Sequence, residues 1–232
     1  MRRVAAFHRT TVGMKVLMAA SGVILVLYLL LHLFGNLKVY VGRVDHPGEK
    51  FNAYAEFLRD FGSPLFGHEQ FLWIFRFVLL AALILHIWSA VALTRRSWAA
   101  RGSKYKKTPH EELEYASRTM RWGGLIIFFF ILYHIAHFTT GQAHPDFQAG
   151  EVYRNFVTGF QVWPVSVIYI VFMLILGFHL YHGVWSGLQT LGLDNPRYRR
   201  YRRGFAVALA VIIALGNISF PVAVLTGFLS LN

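Results

Sequence analysis

Residues 128–140 read FFFILYHIAHFTT, and residues 172–183 read FMLILGFHLYHG. Both runs belong in hydrocarbon, yet each carries two histidines at the same spacing: His134 and His137, then His179 and His182. An imidazole in an apolar medium is costly unless its ring nitrogens find partners. What these four rings bond to decides both the fold and the function.

The surrounding chain is apolar throughout. Its 232 residues are 56% hydrophobic and 15% charged, greasier than the roughly 45–50% apolar content of soluble domains. Five segments, at about 14–37, 71–94, 121–140, 161–189 and 204–230, are near or above the ~20 residues that cross ~30 Å of hydrocarbon. Lipid offers the backbone no hydrogen bonds, so these segments are helices. The first is too long for a signal peptide, and no small-residue cleavage site follows it. The expectation is an all-α, single-domain integral membrane protein with five transmembrane helices, the first four forming a cofactor-holding bundle. Between the first two spans, Phe51, Tyr54, Phe57, Leu58 and Phe61 recur at helical spacing and predict a short amphipathic surface helix.

The net charge of +12 could signal nucleic acid, but its distribution points to a membrane. Arg2, Arg3, Arg9 and Lys15 flank the first span. Arg95, Arg96, Arg101, Lys104, Lys106, Lys107, Arg118 and Arg121 fill the second connection. Arg197, Arg199, Arg200, Arg202 and Arg203 fill the fourth. These are 17 of the 23 basic residues, all on one side. The positive-inside rule therefore expects a cytoplasmic N-terminus and an outside C-terminus, with no nucleic-acid partner. The chain has no cysteine, which excludes disulfides, thiolate-held iron–sulfur clusters and c-type haem on this chain.

Of the 11 histidines, His8, His46, His68, His110 and His144 fall in connections or flanks and read mostly as solvated side chains. His32, His86, His134, His137, His179 and His182 fall within spans. His32 and His134 lie about 17 and 13 residues beyond the inner ends of outward-running helices, so at about 1.5 Å per residue both fall in the outer half. His86 and His179 lie about 16–18 residues beyond the outer ends of inward-running helices, in the inner half. The result is an outer pair and an inner pair, each from two helices that can face diagonally in a four-helix bundle. Two b-type haems, each held by two imidazoles, match this pattern. A proton-relaying or substrate-binding transporter is the alternative, although no Asp or Glu lies inside any span. A single zinc ion cannot join pairs at different depths.

Several stretches resemble one known family. HLFGNL at 32–37, FNAYAEFL at 51–58, LILHIWSAVALT at 83–94, RTMRWGGLIIFFFILYHIAHF at 118–138 and GFHLYHGVWSGLQTLG at 177–192 are spread over most of the chain, from 32 to 192. They resemble the single-polypeptide, five-helix di-haem cytochrome b that anchors succinate:quinone oxidoreductase (succinate dehydrogenase / fumarate reductase, complex II) in the membrane. The resemblance implies His32 with His134 as axial ligands of an outer haem b, and His86 with His179 at an inner one. It implies supporting roles for His137 and His182, and propionate contacts for Asn36, Arg118 and Arg121. A quinone, menaquinone by resemblance, would meet Lys15, Ser21, Trp122 or His182 at the inner end, or Glu56 and Asp60 at the outer end. The implied partners are a flavoprotein subunit with covalent FAD, an iron–sulfur subunit and the lipid bilayer, here the cytoplasmic membrane of a prokaryote. The chain alone would have no activity. A haem-free anchor that docks the soluble subunits and binds quinone is the alternative within this reading.

Overall fold

The computed structural model describes residues 10–41, 48–100 and 111–231, with the side chains of Pro64 and of residues 111–118 left aside. Arg2, Arg3, His8, Arg9, Arg43, His46, Arg101, Lys104, Lys106, Lys107 and His110 lie outside the described residues, as does the side chain of Arg118.

The described residues are helical, without strands. Helix α1 (Thr11–Asn36) starts at Thr10, whose Oγ1 accepts from the Gly13 amide at 2.9 Å, and runs into a 3-10 turn at Leu37–Tyr40. The side-chain acceptor satisfies one of the orphan amides of the first turn. Then come α2 (Glu49–Asp60), the single turn α3 (Ser63–Phe66), α4 (Gln70–Ala99) and α5 (Glu111–Phe138). They are followed by α6 (Val152–Gln161), α7 (Trp163–Thr190) and α8 (Arg199–Leu225). Five stretches are long and apolar enough to cross a membrane: Thr11–Tyr40, Gln70–Ala99, Thr119–Phe138, Trp163–Thr190 and Pro196–Leu225. The end of the bundle that carries α2, α3 and α6 is termed the outer end, following the charge distribution.

Packing within the bundle is uneven. Helices α7 and α8 share the most extensive contact, followed by α1 with α4 and then α5 with α7. The diagonals α1–α5 and α4–α7 make no extensive contact among the described residues. In α8, 39% of the most apolar stretch is buried inside the chain, against 6% in α5, so the helix without histidines is the packing partner. Small residues make this possible. Ala206, Ala210 and Ala214 are buried at four-residue spacing, and a Cβ on Gly177 of α7 would come within 3.2 Å of Ala214 Cβ. Such stripes let helix backbones approach closely where lipid provides no hydrophobic drive.

The outer end holds the larger core. Leu33, Val39, Phe51, Phe130, Tyr153, Phe156, Val157, Phe160, Tyr169 and Phe220 form one buried cluster drawn from α1, α2, α5, α6, α7 and α8. Helix α2 realises the amphipathic helix expected from sequence. Helix α6 was not expected, although Tyr153, Phe156, Val157 and Phe160 recur at helical spacing and all are buried. Gly48 starts α2 at φ +81°, where a Cβ would collide with the Tyr153 ring, so both backbone and space require glycine. Among the described residues, the inner buried cluster comprises Leu180, Ala210 and Ile213.

At the inner end, α8 begins at Arg199, so four of the arginines assigned to a connection, Arg199, Arg200, Arg202 and Arg203, lie in its first turns, and Arg197 lies in the 3-10 turn Pro196–Tyr198 just before it. Arg202 is buried: its Nη1 donates to the Leu193 carbonyl at 2.8 Å and pairs with Asp194 at 2.7 Å.

Candidate functional site

The two loosely packed diagonals are where the intramembrane histidines meet. His32 of α1 and His134 of α5 have ring centroids 5.8 Å apart, with planes at 82°. His86 of α4 and His179 of α7 have centroids 6.5 Å apart, with planes at 67°. A metal–imidazole nitrogen bond of about 2 Å puts the centroids of two trans imidazoles about 6 Å apart. Both pairs lie at that separation.

The second ring nitrogens decide which atom is left for a ligand. His86 Nδ1 lies 3.1 Å from the Met18 carbonyl of α1, an acceptor, so it carries a proton and leaves Nε2 bare. His134 Nδ1 lies 3.3 Å from the Tyr169 hydroxyl, and His32 Nδ1 lies 3.5 Å from that of Tyr28. His179 Nδ1 is buried without a partner among the described residues. Binding through one nitrogen while the other bonds the protein is the usual arrangement of metal-ligating histidine.

Glycines line the inner pair. A Cβ on Gly22 would come within 3.3 Å of His86 Cε1, and one on Gly124 within 3.6 Å of His179 Cε1. Paired imidazoles, the bare Nε2 of His86, the His179 Nδ1 without a partner among the described residues and the thinly packed diagonals fit a flat, metal-centred macrocycle better than a tetrahedral ion. Among the described residues, only Glu56, Asp60 and His68 lie close enough together for a shared ion, and all three are exposed at the outer surface. Glu56 pairs there with Arg59 at 3.0 Å, and His68 Nε2 lies 3.5 Å from an Asp60 carboxylate oxygen.

A family model described as succinate dehydrogenase/fumarate reductase transmembrane subunit matches residues 95–218. The chain belongs to this family. As a transmembrane subunit of that family, it is a multi-pass membrane protein that associates with the soluble subunits of complex II. Neither the search of curated proteins nor that of solved structures returned a match. The matched stretch contains His134 and His179, one member of each pair. His32 and His86 lie outside it and are joined to them by geometry alone.

The remaining candidate residues of this transmembrane subunit fall in different places. His137 is fully buried, with Nδ1 3.0 Å from the Tyr169 hydroxyl and Nε2 without a partner among the described residues. Its ring stacks on Tyr133 at 5.6 Å and on His144 at 4.9 Å. His182 is half-buried against Tyr181. Ser21 is buried and donates to the Leu17 and Met18 carbonyls, with Oγ 3.5 Å from His86 Nδ1. Lys15 and Trp122 are exposed, and among the described residues no polar contact joins Lys15, Ser21, Trp122 and His182. The Arg121 guanidinium lies 5.5 Å over the Trp98 ring at the inner end, while Asn36 closes α1 at the outer end.

Sequence reading missed four contributors: Tyr169, Asn155, Gly159 and His144. His144 is half-buried, and both of its ring nitrogens are bonded to the chain. Its Nε2 donates to the Asn155 carbonyl at 2.8 Å, and its Nδ1 accepts from the Asp146 amide at 3.0 Å. A Cβ on Gly159 would sit 2.9 Å from His137 and 3.0 Å from His144. Nearby, burial raises the Tyr153 phenol above its usual range, and its hydroxyl donates to the Ser230 carbonyl at 2.9 Å.

Proposed function

We propose that this transmembrane subunit is the di-haem cytochrome b of succinate:quinone oxidoreductase. In this reading His32 and His134 are the axial ligands of an outer haem b, and His86 and His179 those of an inner one. The chain takes electrons from an iron–sulfur subunit, itself reduced by a flavoprotein with covalent FAD, and delivers them to a membrane quinone, menaquinone. It sits in the cytoplasmic membrane of a prokaryote with its N-terminus inside. The observation that carries this reading is the pair of facing imidazoles on each diagonal, at 5.8 and 6.5 Å.

Each haem, held between two imidazoles, would supply a one-electron carrier rather than a site for oxygen chemistry. The chain's own residues do the rest. The four imidazoles bind and orient. The Met18 carbonyl fixes the tautomer of His86 and keeps its Nε2 free to ligate, and the Tyr169 hydroxyl meets His134 at Nδ1. Phe130, Phe138 and Phe172 wall the outer site against water. Asn36, Arg118 and Arg121 supply polar contacts for propionates. Lys15, Ser21, Trp122 and His182, or Glu56 and Asp60, supply the quinone contacts at the two ends. The basic inner face docks the soluble subunits.

The test is a reduced-minus-oxidised optical spectrum and a haem count on the purified complex. Two protohaems per chain and a b-type α-band are expected. An intact complex without that band sinks the reading and leaves a haem-free anchor.

A further inference from the structure

The two proposed haem ligands that are held most closely through Nδ1 are held by different chemistry. His86 gives its proton to a main-chain carbonyl, which no side-chain substitution removes. His134 faces a phenol, which faces a second histidine. The Tyr169 hydroxyl lies 3.3 Å from His134 Nδ1 and 3.0 Å from His137 Nδ1. The Tyr169 ring is buried and packs edge-on against Phe130 at 5.0 Å, Phe160 at 5.0 Å and Phe138 at 5.7 Å, so its oxygen cannot swing away.

Proton counting gives this triad a direction. With Nε2 on iron, His134 Nδ1 must carry the ring proton, so it donates to Tyr169 Oη. The phenol has one proton of its own, and the nitrogen within reach to take it is His137 Nδ1. His137 therefore carries its proton on Nε2, the atom without a partner among the described residues. We propose that Tyr169 is a positioning residue for the outer haem. It holds His134 through the relay His134 Nδ1–H to Tyr169 Oη–H to His137 Nδ1, and so lowers that haem's potential. This inference rests on the ligand assignment of the proposed function. An acceptor on the distal nitrogen makes an imidazole a stronger donor to the metal and favours the ferric state. His137 strengthens that acceptor by taking the phenol's proton.

The experiment is a redox titration of the intact complex, followed by optical and EPR signals, for the unmodified chain, Tyr169→Phe, His137→Leu and His137→Asn. Tyr169→Phe should keep both haems and shift the ferric/ferrous equilibrium of one of them several-fold toward ferrous. A tenfold shift corresponds to about 59 mV for one electron. The haem affected should be the one that His134→Ala removes, and the other should not move. His137→Leu should move the same haem in the same direction by less. His137→Asn, whose Oδ1 can accept the phenol's proton, should return it toward the unmodified value. If Tyr169→Phe loses a haem, the Leu and Asn variants decide: a shift with His137→Leu that His137→Asn reverses sustains the relay, and unshifted haems end it. Two haems in the unmodified complex with unchanged potentials in Tyr169→Phe overturn this inference and leave the proposed function standing. No haem in the unmodified complex overturns the proposed function itself.

Discussion

The outer and inner ends of the bundle hold similar histidine pairs in dissimilar surroundings. The outer pair lies beside a buried aromatic core, with α6 closing over it and Tyr169 bonded to both His134 and His137. The inner pair has glycines 22 and 124 against its rings, a main-chain acceptor for His86 and, among the described residues, no partner for His179 Nδ1. A facing pair of imidazoles therefore needs little from its surroundings to form, because two facing helices at the right depth suffice. What the surroundings set is how tightly each ring is fixed. Close-packed interiors resist changes of a single methyl group, whereas open ones absorb them.

The largest expected effect treats the two ends as separable sites. His32→Ala and His134→Ala should each delete the same haem, and His86→Ala and His179→Ala should each delete the other. His137→Ala should leave both. Haem counts and low-temperature α-bands on the purified complex check this. Loss of spectroscopically different haems in His32→Ala and His134→Ala would break the diagonal pairing.

The next effect tests packing alone. Gly159→Ala places a methyl group 2.9 Å from His137 and 3.0 Å from His144, two rings held by neighbours on several sides. Overpacking of this kind costs about 1–3 kcal/mol. Gly124→Ala places the same group 3.6 Å from His179, an ordinary contact, and should be neutral or stabilise by up to about 1 kcal/mol through helix propensity. Midpoints of thermal unfolding compare the two, and equal losses would erase the difference between the ends.

Asn155→Ala probes how the outer end is closed. The Asn155 side chain accepts from the Gln148 amide at 2.8 Å and donates to the Gln148 carbonyl at 2.6 Å, while the Asn155 main-chain carbonyl, which the substitution keeps, accepts from His144. Removing a side chain that is 5% exposed and leaving the Gln148 main-chain groups unpaired should cost about 1–3 kcal/mol. The same unfolding measurement reads it, and an unchanged midpoint would show that α6 closes the site by apolar contact alone.

How much of this could be read from sequence differs between the ends for a physical reason. The five spans are legible because lipid forces every apolar run of that length into a helix. The facing of His32 with His134 and of His86 with His179 followed from depth, because helical rise is uniform and the spans alternate in direction. Tyr169 carries no such signal: one tyrosine among the aromatics of α7 looks like any other until its neighbours are known. His144 bonds groups 2 and 11 residues away through turns that no periodicity marks. Helix α6 is the exception, since Tyr153, Phe156, Val157 and Phe160 spell an amphipathic stripe. It is hidden only by standing in a connection shorter than the spans around it.

The smallest effect belongs to the inner end, whose fixed point is electrostatic rather than aromatic. The buried Arg202 guanidinium pairs with Asp194 at 2.7 Å, and Gln189 donates to the other carboxylate oxygen at 3.0 Å. The hydrogen bond from Arg202, helped by that from Gln189, holds the Asp194 carboxyl below the usual carboxylate range. A carboxyl depressed on folding stabilises fully above its unfolded value, about 4, and that contribution fades as pH falls through the lower folded value. The Asp194 side chain is 48% exposed, so solvent screens the pair and the increment is small. Asp194→Asn keeps the shape, removes the charge and leaves Arg202 with the Leu193 carbonyl. It should lower the unfolding midpoint slightly at neutral pH and remove this part of the acid-side decline below about pH 4. Superimposable profiles for the two proteins would mean that α8 is anchored by its small-residue contact with α7 and not by its charge.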